Sequence, residues 1–160
     1  MKQIIEALTH SNYIENEFSV RALADVLDCW DNWSKPSGMY SLQGEFGITM
    51  IKSIHRSLMK NIDPDIAGKF RNYNVHVGNF IAPDYKEVFE LMDDWVKEFG
   101  AKDTWAGINL AHIAFEKIHP FADGNGRGGR MIMYLQQLWA YEEIRPILIE
   151  DGQEYYKWFR

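Results

Sequence analysis

The sequence predicts an all-α protein, a bundle of amphipathic helices with one short β-hairpin. Apolar residues recur every three or four positions along most of the chain, which is typical of helices with one buried face. A single stretch, residues 74–81, instead alternates between polar and apolar residues up to a Gly-Asn pair. The 160 residues, 46% of them hydrophobic, suffice for one core. We therefore expect residues 1–160 to form a single domain.

Six segments have the helical spacing. The first covers residues 1–15, and the second, residues 19–31, starts at Ser19, a residue type preferred at helix N-caps. The apolar positions of the other four, in chain order, are Phe46, Met50, Ile54 and Leu58; Val88, Met92, Trp95 and Phe99; Trp105, Ile108, Ala111, Phe115 and Ile118; and Met131, Tyr134, Leu135 and Leu138. Pro120 predicts that the fifth helix ends at about Ile118.

The alternating stretch predicts a hairpin. Val75 and Val77 favour a strand, and Gly78-Asn79 favours the turn before a return strand. Two strands alone are marginally stable, so the pattern by itself favours a connecting hairpin without a role.

Composition excludes several classes of function. A net charge of -6 argues against a nucleic-acid backbone as the main partner. No apolar run approaches the ~18 residues that a membrane span needs, and no signal peptide is visible. Cys29 is the single cysteine, so no internal disulfide can form, and we expect a cytoplasmic protein without a membrane partner.

The loop between the fifth and sixth helices combines several features of a phosphate site. It reads His-Pro-Phe-Ala-Asp-Gly-Asn-Gly-Arg-Gly-Gly-Arg over residues 119–130. Gly124 and Gly126 allow the backbone to direct consecutive N–H groups toward one anion. The helix that follows presents its N-terminus, which also favours phosphate.

The charged residues of this loop fit the same ligand. Arg127 and Arg130 are three positions apart and share a helix face, and guanidinium groups bind phosphate in pairs of hydrogen bonds. Asp123 is an oxygen ligand suited to phosphate-bound Mg²⁺. His119 is a candidate general base. The loop therefore predicts a nucleotide phosphate site.

Other interpretations of the glycines fit less well. Gly124, Gly126 and Gly129 match the dinucleotide pattern G-x-G-x-x-G, but that pattern requires a preceding strand, and here a helix precedes it. A P-loop requires Gly-Lys-Ser/Thr, which is absent. A glycine-rich turn with solvated arginines would leave the convergence of phosphate-binding groups unexplained.

Residues 119–130 resemble the signature of the Fic family, H-P-F-x-[D/E]-G-N-G-R-x-x-R, at every fixed position. The segment from Ala67 to Gly78 is similar to a second family stretch. The resemblance implies a Fic-type helical bundle that uses ATP and Mg²⁺ to transfer AMP to a hydroxyl side chain of an unidentified target protein. It also permits a homo-oligomer.

The resemblance implies a role for each motif residue. His119 would deprotonate the target hydroxyl, Asp123 would hold Mg²⁺, and Arg130 would hold the γ-phosphate. Asn125 and Arg127 would bind the α- and β-phosphates, with the nest around Gly124 and Gly126. The hairpin would be the flap that binds the target backbone, formed by Val75, His76, Val77, Gly78, Asn79 and Phe80.

Residues 11–16, Ser-Asn-Tyr-Ile-Glu-Asn, fit the inhibitory motif S/T-x-x-x-E-G/N of one Fic subgroup. The resemblance implies an inhibitory helix over about residues 5–16, with Ser11, Glu15 and Asn16 as its motif. Glu15 would pair with Arg130 and deny ATP its γ-phosphate contact. Most members of the subgroup have glycine where this chain has Asn16.

Three alternatives remain open at this stage. The protein could remove AMP from targets, with Glu15 activating water, or transfer another nucleotidyl or phosphoryl group. In the family that the chain resembles, phosphorylating members have a lysine where this chain has Gly126-Arg127. This difference argues against phosphoryl transfer. A catalytically silent nucleotide-binding regulator is disfavoured by the intact His119 and Asp123. His10, His55 and His112 are expected to be structural.

Overall fold

The structure is a computed structural model that describes residues 2–35, 46–78 and 80–159. Within these ranges the chain forms seven α-helices, one two-stranded sheet and two 3₁₀ turns. The helices are α1 Lys2–Ile14, α2 Val20–Ser34, α3 Ile48–Met59, α4 Val88–Phe99, α5 Trp105–Ile118, α6 Asn125–Tyr141 and α7 Gly152–Lys157; the strands are β1 His76–Val77 and β2 Phe80–Ile81; the 3₁₀ turns are Tyr85–Glu87 and Ile149–Asp151. The predicted flap residue Asn79 lies outside the described residues.

The all-α class with one hairpin is confirmed, and local chemistry explains several helix ends. The hydroxyl of Ser19 accepts a hydrogen bond from the N–H of Ala22 at 3.1 Å, which caps α2. Helix α5 ends at Ile118, one residue before His119 adopts a left-handed conformation (φ 51°). The six-residue α7 was not predicted, since it is too short to show a helical period.

The inhibitory helix predicted over about residues 5–16 is corrected at its end. Helix α1 stops at Ile14, so Glu15 lies in the turn that follows. Asn16 has φ 56°, a left-handed conformation that glycine adopts freely and asparagine better than most residues. This geometry explains why either glycine or asparagine suits the position.

Helix α6 is the central element of the core. It packs against α5, α3, α1 and α2, and between Asn125 and Gln137 every residue except Gly126 is buried. A helix enclosed on all sides cannot shift without disturbing several neighbours, because protein interiors are close-packed. The packing therefore holds the N-terminus of α6 in a defined position.

The hairpin projects beside that N-terminus. Its strands are antiparallel, with His76 opposite Ile81 and Val77 opposite Phe80. The N–H of Ala82 donates to the carbonyl of Val75 at 3.3 Å and extends the pairing by one step. None of the helices in the described ranges is long and apolar enough to cross a membrane.

Candidate functional site

The N-terminus of α6 forms a cradle of free backbone N–H groups. Gly124 precedes the helix with φ 74°, and the first helical hydrogen bond runs from the N–H of Gly128 to the carbonyl of Gly124 at 2.9 Å. The N–H groups of Asn125, Gly126 and Arg127 precede that bond and have no partner within the helix. Together with the positive end of the helix dipole, they favour an anion.

The side chain of Asn125 is held against the motif loop. Its Oδ1 accepts from the N–H of Phe121 at 2.8 Å, and its Nδ2 donates to the carbonyl of the same residue at 2.9 Å. These two bonds fix the orientation of the buried amide, and the backbone N–H of Asn125 joins the cradle at the start of α6. The expected contact of Asn125 with a phosphate stays a prediction.

Arg127 is a buried cation with unused hydrogen-bonding capacity. Its side chain reaches Met59, with Nη2 3.1 Å from the sulfur, and only 5% of the residue is exposed. Its buried Nε has no hydrogen-bond partner within the described part of the chain. Burial lowers the pKa of Arg127, an effect that the charge of Asp123 opposes. A buried guanidinium with a free N–H fits an anionic ligand.

Arg130 is the most completely enclosed charge of the site. Its Nε donates to the hydroxyl of Ser11 at 3.0 Å, and its Nη2 donates to the carbonyl of Ser11 at 2.9 Å. The same Nη2 lies 2.6 Å from Oε1 of Glu15, and Nη1 donates to the hydroxyl of Tyr155 at 3.1 Å. The structure thus brings Ser11, Glu15 and Arg130 together across 115 residues or more.

The carboxylate of Glu15 lies on the cradle itself. A methyl group built on Gly126 would overlap Oε1 of Glu15, so the carboxylate rests directly against the backbone of α6. Its side chain is 35% exposed, whereas that of Arg130 is 1% exposed. An anion from the chain's own α1 turn therefore occupies the position that the cradle favours for an anion.

His119 faces the site as a neutral imidazole. Its Nδ1 lies 3.4 Å from the carbonyl of Glu116, which favours a proton on Nδ1 and leaves Nε2 with a lone pair. Burial lowers the pKa of His119, and the Glu116 carbonyl opposes this effect. A neutral imidazole with a free Nε2 is the form that can accept a proton.

Asp123 lies exposed at the rim of the cradle. Its Oδ1 accepts from the N–H of Gly124 at 2.7 Å. Within the described residues no group of three His, Cys, Asp or Glu side chains could hold a metal ion. A cation at Asp123 would thus need ligands from a bound phosphate and from water, which is the way Mg²⁺ is commonly held.

A cavity of about 650 Å³ extends from the cradle. Val77, Gly78 and Phe80 of the hairpin form one wall, so these predicted flap residues lie beside His119 and Arg130. Val75 and His76 do not line it. Tyr155, Tyr156 and Phe159 from the C-terminal segment enclose the cavity elsewhere.

His55 holds the motif loop from beneath, a contact that sequence reasoning missed. Its Nδ1 accepts from the N–H of Gly68 at 2.9 Å, so the proton resides on Nε2, 2.8 Å from the carbonyl of Asp123. Its ring stacks on Phe121 at 3.7 Å. Burial lowers the pKa of His55 to about 4, so it stays neutral. No local pattern reports a bond between positions 68 residues apart.

Arg71 was also missed as a site residue, although it belongs to the stretch that resembles the family. It is 4% exposed and donates to the carbonyls of His119 at 2.8 Å, Tyr73 at 3.1 Å and Pro83 at 2.6 Å. These bonds join the base of the hairpin to the motif loop. A lone arginine in sequence does not show which carbonyls it will reach.

Comparison with known proteins agrees with this geometry. The profile of the Fic/DOC family matches residues 45–137. Over 119 aligned residues the chain is 35% identical to protein adenylyltransferase fic-1 of Caenorhabditis briggsae, covering 70% of this chain and 23% of that protein. It is 36% identical over 123 residues to protein adenylyltransferase Fic of Drosophila erecta, covering 72% of this chain and 24% of that protein. The chain thus spans about a quarter of these relatives.

Solved structures show the same fold. Fic-1 of C. elegans (residues 134–508) superposes with a TM-score of 0.76 at 24% identity, over 98% of this chain and 54% of that one. A Fic domain containing signaling protein of Bacteroides thetaiotaomicron gives a TM-score of 0.78 at 18% identity, over 98% and 70%.

Proposed function

Because the chain belongs to the Fic/DOC family, we propose that it is a protein adenylyltransferase, which transfers the AMP moiety of ATP to a hydroxyl side chain of a target protein. The observation that carries the proposal is the anion cradle at the start of α6. Its backbone N–H groups, the unpaired Nε of Arg127 and the buried Arg130 converge there, and a carboxylate already rests on it. The names of the curated relatives support the same activity.

The chemistry follows from the positions of these groups. The target hydroxyl oxygen attacks the α-phosphorus, while Nε2 of His119 accepts the hydroxyl proton. The bond between the α-phosphorus and its bridging oxygen to the β-phosphate breaks, and pyrophosphate leaves. The cradle and the arginines stabilise the charge that develops on the phosphate oxygens, which is where positioned donors lower a barrier most.

Asp123 fits Mg²⁺ as the cofactor. It is an exposed carboxylate beside an anion cradle, and a hard oxygen ligand of this kind suits a cation that is shared with phosphate. When bound there, Mg²⁺ would neutralise charge on the phosphates and on the leaving pyrophosphate. Asp123 would hold it through the oxygen that does not bond to Gly124.

Glu15 is proposed as an intramolecular inhibitor of this reaction. Its carboxylate takes one guanidinium nitrogen of Arg130 and covers the backbone of Gly126. A γ-phosphate that bound Arg130 would have to displace it, because both are anions competing for the same donor. ATP would then bind in a different pose or less tightly, and transfer would slow.

The hairpin is proposed to hold the target. In a two-residue hairpin the pair next to the turn, Val77 and Phe80, bonds across the ladder, and the following pair directs its backbone groups outward. His76 and Ile81 are that outward pair, and both are exposed. An extended target segment could pair with one of these edges and present its hydroxyl to His119.

Transfer of label from ATP tests the activity. We would incubate the Glu15→Gly protein with Mg²⁺ and ATP labelled at either the α- or the γ-phosphate, with EDTA as the metal-free control. The proposal requires protein-bound label from α-labelled ATP only, and only with Mg²⁺. Label from γ-labelled ATP would indicate phosphoryl transfer. Release of AMP from previously labelled protein would favour the removal reaction, and no label from either nucleotide would favour a silent nucleotide-binding regulator.

A further inference from the structure

Tyr155 contacts Arg130 at a nitrogen that Glu15 does not use. Nη1 of Arg130 donates to the Tyr155 hydroxyl at 3.1 Å, and the guanidinium carbon lies 5.6 Å from the centre of the tyrosine ring. Tyr155 lies on α7, beyond residues 45–137 that match the family profile. We propose that Tyr155 is a positioning residue, which holds Arg130 in the cradle when an anionic substrate replaces Glu15. This inference rests on the proposed function.

The direction of the hydrogen bonds makes Tyr155 a good partner for a cation. Arginine can only donate, so the phenol oxygen accepts from Arg130 and keeps its own proton for another acceptor. Nε2 of His112, 2.8 Å away, can accept that proton when its own proton is on Nδ1. In that tautomer the chain of bonds runs from Arg130 through Tyr155 to His112, and a lone pair of the tyrosine stays directed at the guanidinium.

His112 keeps this direction over a wide pH range. It is 2% exposed, and burial together with the charge of Arg130 lowers its pKa to about 3. At neutral pH the ring is therefore uncharged, which is the form in which Nε2 can accept the tyrosine proton. A protonated His112 would instead donate to the tyrosine and weaken its contact with Arg130.

The remaining partners of Arg130 all come from one segment. Ser11 and Glu15, at the end of α1 and in the turn after it, supply its other three hydrogen bonds. Within the described residues Tyr155 supplies the one bond from elsewhere in the chain. If ATP displaces Glu15, Nη2 exchanges a carboxylate for a phosphate oxygen, while Nη1 stays on Tyr155. Tyr155 then holds the guanidinium on the side opposite Ser11, so the group keeps its orientation through the exchange.

Tyr155→Phe is the informative variant, because it removes the hydroxyl and retains the ring. Tyr156→Phe is the matched control: the same atom is removed from the neighbouring residue, whose hydroxyl makes no hydrogen bond to Arg130. Both would be made in the Glu15→Gly background, where Arg130 has lost its carboxylate. The first measurement is the ¹⁵N NMR signal of the Arg130 Nη groups, which stay resolved only while rotation of the guanidinium is slow.

We expect slow exchange between the Nη signals in the Glu15→Gly protein and its Tyr156→Phe derivative, and faster exchange after Tyr155→Phe, when only the bonds to Ser11 still hold the guanidinium. An exchange rate that Tyr155→Phe leaves unchanged would overturn the inference, whatever the protein does with nucleotides. This readout needs no substrate, so it separates a failure of the inference from a failure of the proposed function.

The second measurement is the affinity for ATP and ADP with Mg²⁺, by calorimetry. Since Arg130 would bind the γ-phosphate, Tyr155→Phe should weaken ATP binding by roughly tenfold, the value of one hydrogen bond to a charged group. ADP binding should change little. An equal loss for ATP and ADP would overturn the inference, because it would indicate a general disturbance of α7. A Glu15→Gly protein that binds neither nucleotide would contradict the proposed function, and the NMR result would then decide on Tyr155 alone.

Discussion

His119 combines a strained backbone with the chemistry proposed for the site. Its φ of 51° lies in the left-handed region, where non-glycine residues are uncommon and often functional. The carbonyl of this residue accepts from Arg71 at 2.8 Å, which holds the strained conformation in place. The imidazole is therefore presented by a fixed backbone rather than by a flexible loop.

We predict that His119→Asn reduces AMP transfer by ~10²–10⁴, the contribution of a general base. Asparagine tolerates the left-handed conformation, so the fold and ATP binding should be retained. Since burial lowers the pKa of His119, the parent rate should be flat at neutral pH and fall only as the imidazole gains its proton below pH ~6.5. Initial rates in the Glu15→Gly background across pH check both points. An asparagine variant as fast as its parent would remove His119 from the mechanism.

Glu15 is the residue on which the proposed inhibition depends. A charge-assisted pair with a buried arginine contributes ~1.5–3 kcal/mol, so Glu15→Gly should raise transfer by roughly tenfold to a hundredfold at fixed ATP. Because Glu15 lies in a turn beyond α1, the fold should tolerate glycine there. Adding Arg130→Ala should cancel the gain.

Glu17→Gly is the matched control for that prediction. Glu17 is a second acidic residue of the same turn, and its carboxylate accepts from the N–H of Ser19 at 2.8 Å rather than from Arg130. The Glu17→Gly substitution should therefore leave the rate of AMP transfer near that of the parent protein. Equal activation by both substitutions would indicate that loosening of the turn, and not loss of the Arg130 pair, releases activity.

At the scale of the elements, α5 and α6 meet closely at Gly129. A Cβ there would lie 2.5 Å from Oε1 of Glu116 and 2.9 Å from Cε1 of His112, whereas a Cβ on Gly128 would meet nothing within 4 Å. Both glycines are buried within α6. The same Gly→Ala substitution should therefore have opposite effects on stability at the two positions.

We predict that Gly129→Ala destabilises the protein by ~1–3 kcal/mol, the usual cost of overpacking. Gly128→Ala should instead stabilise it by up to ~1 kcal/mol, since alanine is the better helix former. Urea unfolding of the two variants and the parent measures the difference. Similar free energies of unfolding for the two variants would contradict the close approach of α5 at Gly129.

The hairpin makes a prediction about recognition of the target. His76→Pro and Ile81→Pro each remove one outward backbone N–H and leave the Val77–Phe80 pair intact. If a target segment pairs with one edge, one of these variants should lose target modification while ATP binding is unchanged, and the other serves as its control. Modification that survives both substitutions would reduce the hairpin to a connector.

At the scale of the whole molecule, Glu116, whose carboxyl Oε1 is buried, makes stability depend on pH. Burial raises the pKa of Glu116 to about 8, so the native state keeps a proton that the unfolded chain has lost above its ordinary pKa of ~4.3. Between these two values the native state binds more protons than the unfolded state, so this group lowers stability as pH rises. His55 and His112, whose pKa values burial lowers to about 4 and 3, lower stability as pH falls below ~6.5.

Glu116→Gln isolates the contribution of this carboxyl group to the pH dependence of stability, because glutamine keeps the shape of the side chain and cannot ionise. The variant and the parent should have similar urea midpoints at pH 4 and below, and the variant should become the more stable of the two as pH rises toward 8. Both proteins contain the two buried histidines, so their contribution cancels in the comparison. A difference in midpoint that stays constant with pH would contradict an un-ionised Glu116 in the folded protein.

The sequence by itself determined the features that depend on local order along the chain. The period of apolar residues predicted six helices, Ser19 and Pro120 predicted two of the helix ends, and the contiguous residues 119–130 predicted an anion site. Local patterns suffice there because helix periodicity, capping and a loop between two helices involve residues that are neighbours in sequence.

The tertiary structure alone decided which distant groups meet. It placed His55 beneath Asp123 and brought Tyr155 to Arg130. It also decided that Gly129, and not Gly128, is held by close packing. These contacts join residues that are far apart in sequence, and their geometry follows from how the helices pack around α6, which no pattern along the chain records.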